Sequence, residues 1–134
     1  MNNGIKIEIH RATAKGDFAT LLYPHKAHFR DHEFIVPRGF EFDGASVPRL
    51  LQPLICSPLG PESARASCKH DFIYRTQPPG WTRKEADLMF LCDLLEDGLP
   101  PNRAFWAYRG VRLGGWRAWN KNRKILEEWR GPVE

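Results

Sequence analysis

His70 and Asp71 stand side by side, Tyr74 follows on the next helical turn, and Asp87 lies further along in a second stretch of helical pattern. Residues three and four apart are neighbours on a helix, so His70 shares a face with Ala66, Ile73 and Tyr74. Asp87 lines up with Phe90, Leu91 and Leu94, and a carboxylate on an apolar stripe is costly unless a donor satisfies it. The linker between the two segments is short, so they are expected to be antiparallel neighbours, and the natural donor is the His70 imidazole. A carboxylate on one ring nitrogen fixes the tautomer and leaves the other nitrogen as a general base. Asp71, beside that base, and Asp43 in the upstream Asp43-Gly44-Ala45-Ser46 turn could hold a hard, calcium-type cation, with Gly44, Ser46 and Tyr74 in support. The chemistry described is water activation by a His70–Asp87 dyad beside a metal that polarises a carbonyl. The alternative is structural: Asp71 and Asp87 as hydrogen-bond hubs.

The elements that must position these residues read as α+β, in one domain over 1–134, with strands and loop in 1–60 and helices in 61–134. Ile5, Ile7 and Ile9 alternate with Lys6, Glu8 and His10, the period of a half-buried strand. Phe18–Tyr23 and Glu33–Val36 are further strand candidates, and Phe40 and Phe42 flank Glu41 before Asp43-Gly44. Four prolines between Ser46 and Pro61 mark a loop. A first helix is predicted from near Pro61 to about Arg75. A second starts behind a Thr82/Glu85 capping box and runs to about Asp97, ahead of Gly98. A third starts at Asn102, a break is expected at Gly114-Gly115, and Trp116–Trp129 continues as a fourth helix or the same one bent.

The chain has 134 residues, 42% of them hydrophobic and 27% charged, and carries a formal net charge of +4. That composition excludes wholesale disorder, and no apolar run approaches the roughly 20 residues that span a bilayer. No secretory signal pattern is visible, which points to the cytoplasm, and Cys56, Cys68 and Cys92 are expected as free thiols, Cys68 and Cys92 on facing sides of the central helices. From Arg103 to Arg130 eight basic residues face only Glu127 and Glu128, and four of the five tryptophans lie in the same stretch. Arg109, Arg112, Trp116, Arg117 and Trp119 are therefore candidate contacts to an anionic surface: lipid headgroups, an acidic protein or, less favoured, nucleic acid. The alternative is an amphipathic helix with its tryptophans in the core.

The ordered set Phe40-x-Phe-Asp43-Gly-Ala-Ser-Val-Pro48, His70-Asp-Phe-Ile-Tyr74 and Ala86-Asp87-x-x-Phe90 resembles a phage- and prophage-associated family of unknown function. That resemblance implies a protein of an infected or lysogenic bacterium or of the virion, with other phage proteins as partners. Cys68-Lys-His70-Asp71-Phe72-Ile-Tyr74-Arg75 is similar, more distantly, to the active-site helix of prokaryotic phospholipases A2. That similarity implies His70 as general base, Asp87 orienting it, calcium on Asp71 and Asp43, and a lipid ester as substrate. Ala45 stands in the loop where those enzymes carry the cysteine partner of Cys68, and Ile73 stands where they carry glycine. A non-catalytic phage structural or host-interaction protein on the same scaffold remains the other expectation. Titration of freshly purified, denatured protein should count three thiols; a lower count would reveal a disulfide.

Overall fold

The computed structural model describes residues 4–13, 16–44 and 59–130. Ser46, Cys56 and most of the proline-rich loop lie outside the described residues. Among the described residues five strands come first: β1 (Ile7–Thr13), β2 (Gly16–Leu21), β3 (His25–Phe29), β4 (His32–Val36) and β5 (Glu41–Phe42). All pairings are antiparallel, in a three-stranded sheet of order β1-β2-β5 and a separate β3-β4 hairpin. Among the described residues four helices follow: α1 (Ala64–Thr76), α2 (Arg83–Glu96), α3 (Pro101–Gly114) and α4 (Trp116–Arg130). The class is α+β, as the sequence pattern requires.

Local chemistry explains most boundaries. Ala19 and Leu21 point alternate residues of β2 inward, where Val36, Phe42, Leu59 and Cys68 complete one core cluster. β3 escapes a reading by pattern because its sequence, His-Lys-Ala-His-Phe, is mostly polar; pairing with β4 makes it a strand. α1 starts three residues later than predicted because the amides of Ser63 and Ala64 both turn back onto the Gly60 carbonyl. The Thr82 hydroxyl accepts the Glu85 amide at 3.1 Å and starts α2 as expected, while the Glu85 carboxylate lies 3.1 Å from His32 Nε2.

α1 is the central element: ten of its thirteen residues are buried. Ala66 packs with α2 and α3, Cys68 with the strands, and Ile73 and Tyr74 with Trp81, Met89 and Trp119. Contacts descend along α2 as they ascend α1, from Arg65–Asp97 through Lys69–Asp93 to His70–Asp87, so the two helices are antiparallel. Cys68 and Cys92 do not face each other. Cys68 turns toward the strands, and Cys92 is exposed.

Gly115 is the only residue between α3 and α4, and a side chain there has no room. A Cβ would lie 2.5 Å from both Tyr74 Oη and the Val111 carbonyl oxygen. Gly115→Ala should therefore lower stability by roughly 1–3 kcal/mol through overpacking. Urea denaturation checks this, and an unchanged midpoint would contradict the close approach.

Candidate active site

The site forms where α1, α2 and α3 meet. His70 Nε2 lies 2.7 Å from Asp87 Oδ1, and the Tyr74 hydroxyl donates to the same oxygen at 2.7 Å. Arg83 donates to Asp87 Oδ2 at 3.3 Å and Arg112 at 2.7 Å. Both His70 and Asp87 have 0% exposure, so the costly carboxylate of the Phe90/Leu91/Leu94 stripe is satisfied inside the protein. Burial pushes the Asp87 carboxyl up, but the hydrogen bond and charge of His70, with Tyr74 and Arg112, outweigh it and hold the group below its ordinary value. Burial and the Asp87 charge push the Tyr74 phenol up, so it stays a donor. The rings of Tyr74 and Phe90 lie 4.2 and 4.7 Å from the imidazole centroid and hold its plane. The expected dyad is present in geometry, with Tyr74 as its third member.

Asp71 faces the Asp43-Gly44 turn. Its Oδ2 accepts the backbone amides of Gly44 at 2.9 Å and Asp43 at 3.3 Å, with Arg75 at 3.8 Å. Gly44 has φ 76°, a conformation glycine adopts without strain, and this brings both amides round to the carboxylate. Asp43 thus meets Asp71 Oδ2 through its backbone amide. Among the described residues, no group of three or more His, Cys, Asp or Glu could hold a metal. A cavity of about 290 Å³ reaches Asp71 and Tyr74 between Arg75 on α1 and Lys121, Asn122 and Ile125 on α4.

The basic, tryptophan-rich stretch divides into two parts. Trp119 is only 6% exposed and packs edge-on against Tyr74 at 5.2 Å, because α4 folds back over α1. Arg112 turns inward to Asp87. Trp119 is therefore core, whereas the Arg112 side chain binds Asp87 and stays 31% exposed. Arg109, Trp116 and Arg117 are exposed, as are Phe105, Trp106 and Leu113, which the sequence reading did not single out. Arg83 was also missed, although its place four residues before Asp87 is ion-pair spacing. It donates to the Val111 and Arg112 carbonyls as well, and so ties the end of α3 to the site.

A family model described as a protein of unknown function, DUF1353, matches residues 19–111, and the chain belongs to that family. The matched span contains Asp43, His70, Asp71, Tyr74 and Asp87. No curated protein and no solved structure matches the chain.

Asp87→Asn should cost about 3–5 kcal/mol at neutral pH, because it removes one partner from a buried charge network. A carboxyl held below its ordinary value contributes stability above pH ~4 that is lost as pH falls toward its folded value. Wild type should thus lose stability on acidification below about pH 4, and Asp87→Asn should lose less. Urea midpoints measured across that range check both expectations.

Proposed function

Because DUF1353 is a family of unknown function, we propose an activity from the site itself: a phospholipase-A2-like hydrolase that acts on a lipid ester through His70 and Asp87. The observation that carries it is the 2.7 Å contact between two fully buried side chains, His70 and Asp87, with Tyr74 on the same carboxylate oxygen. With Asp87 accepting Nε2–H, Nδ1 would be the ring nitrogen that acts as base. Nδ1 takes a proton from water as the water attacks the ester carbonyl, and Asp87 stabilises the resulting imidazolium. Tyr74, Arg83 and Arg112 hold Asp87 at the required angle. Asp71 and Asp43 are the residues that would hold calcium, which would supply carbonyl polarisation when bound. The exposed Arg109, Trp116 and Arg117 would meet an anionic lipid surface. The resemblance of the ordered motifs to a phage- and prophage-associated family supports a place in an infected or lysogenic bacterium or its virions.

A second reading rests on two further observations: His70 is wholly buried, and the Asp71 carboxylate is engaged by two amides. Both are what a non-catalytic phage structural or host-interaction protein would need from the same residues, namely filled hydrogen bonds in the core.

Release of fatty acid from anionic phospholipid vesicles, with and without millimolar calcium, separates the two. The hydrolase reading expects turnover that falls at least about 100-fold in His70→Ala and Asp87→Asn. A metal site would raise stability by about 2.7 kcal/mol at a hundredfold excess over Kd, and Asp71→Asn would remove that gain. Absence of turnover under both conditions would overturn the hydrolase and leave the structural protein.

A further inference from the structure

The third helix, α3, is apolar on two opposite sides. Its inner side, Ala104, Ala107 and Val111, is buried with Ala66 of α1 and Phe90, Leu91 and Leu94 of α2. Its outer side carries Phe105, Trp106 and Leu113, which are 50%, 61% and 80% exposed. At the turn of an α-helix these three and Arg109 fall within about 100° of one face. Trp116, also exposed, follows at the start of α4. A helix that is apolar all round is ordinarily covered all round, yet this side lies open to solvent. An exposed apolar patch of this kind marks a surface that meets a protein or a membrane.

Charge selects the occupant. α3 carries no acidic residue, and α4 carries none before Glu127. Arg109 stands between Phe105 and Leu113, one turn from each, and Arg103 and Arg117 lie beyond the two ends of that row. All three arginines are exposed, and the Arg117 guanidinium lies 5.2 Å from the centre of the Trp116 ring. The occupant must be anionic and apolar together. A second copy does not match, because in a two-fold contact the same patch meets itself and sets cation against cation. Nucleic acid matches the cations alone, since Leu113, the most exposed of the apolar row, offers no ring to a base. An anionic bilayer matches both: leucine and aromatic side chains enter the acyl boundary while arginines reach back to the phosphates.

We propose that the outer face of α3 docks the protein on anionic bilayers, with Phe105, Trp106 and Leu113 inserted and Arg103, Arg109 and Arg117 at the phosphates. The helix lies in the plane of the interface. The inference deepens the lipid side of the hydrolase reading and rests on that reading there, although docking itself needs no turnover. It goes beyond attraction by surface cations, because an apolar row enters the bilayer. The same helix carries Arg112, which donates to Asp87 at 2.7 Å, so docking holds the His70–Asp87 pair at a set angle to the surface.

Co-sedimentation of the full chain with phosphatidylglycerol-containing and with pure phosphatidylcholine vesicles tests this. Binding at least about tenfold tighter to the anionic vesicles is expected, weakened by about 0.5 M salt. The Trp106→Ser/Leu113→Ser double variant changes exposed positions only and should weaken binding at least about tenfold. Ile35→Ser, at a similarly exposed apolar position on β4, should leave it unchanged. Arg103→Ser/Arg109→Ser should remove most of the preference for anionic lipid. Brominated lipid should quench the tryptophan fluorescence of wild type, and less that of Trp106→Phe. Vesicle binding without fatty-acid release would remove the hydrolase reading and leave docking standing. Turnover of detergent-dispersed lipid without vesicle binding would do the reverse and overturn the docking proposal. Absence of binding to anionic vesicles overturns it too, including where this face instead joins two copies or takes up an oligonucleotide or an acidic protein. So does vesicle binding that survives in Trp106→Ser/Leu113→Ser.

Discussion

One carboxylate holds three helices together. Asp87 on α2 receives His70 and Tyr74 from α1, Arg83 from its own helix and Arg112 from α3. His70, Tyr74 and Asp87 are fully buried, so leaving any of these three unpaired would be expensive, while Arg83 and Arg112 reach the carboxylate from partly exposed positions. Their geometry fixes the antiparallel register of α1 and α2 and the place where α3 must end. Gly115 follows from the same constraint, since α4 can begin only where nothing collides with Tyr74.

The unusual feature of the fold is that its most central helix is polar. α1 buries Arg65, Ser67, Lys69, His70 and Asp71 along with its apolar residues. These side chains divide by direction. Arg65 and Lys69 meet the acids of α2, His70 meets Asp87, and Asp71 meets the Asp43-Gly44 turn. Each pairing ties a different neighbour to α1, so the helix acts as a polar spine and the apolar clusters fill the spaces around it. Desolvating so many charged groups is tolerable only when nearly every one has a partner.

Asp71 illustrates how adjacent residues acquire unrelated tasks. It is one residue from His70 and so points about 100° around the helix, away from α2 and toward β5. There it receives two amides from a glycine turn, which secures the connection leaving β5. His70 points at α2 and belongs to the Asp87 network. Whatever chemistry His70 performs is set by α2 and α3, while Asp71 sets the position of the turn over the strands.

The sequence by itself determined the local features and one long-range pair. The Thr82 cap, the Gly114-Gly115 break and the α+β order were legible because each depends on neighbouring residues. The His70–Asp87 contact was legible because a lone carboxylate on an apolar stripe, across a short linker from a histidine, has few places to find a donor. Tertiary structure alone decided the rest. β3 is a strand because β4 pairs with it. Asp43 meets Asp71 through an amide, which no side-chain pattern reveals. Trp119 looked like a surface contact because an amphipathic pattern gives the spacing of a helix face but not its direction. That direction depends on α4 folding back across α1 at Gly115, which carries Trp119 into the core, and on Asp87, whose buried charge draws Arg112 inward.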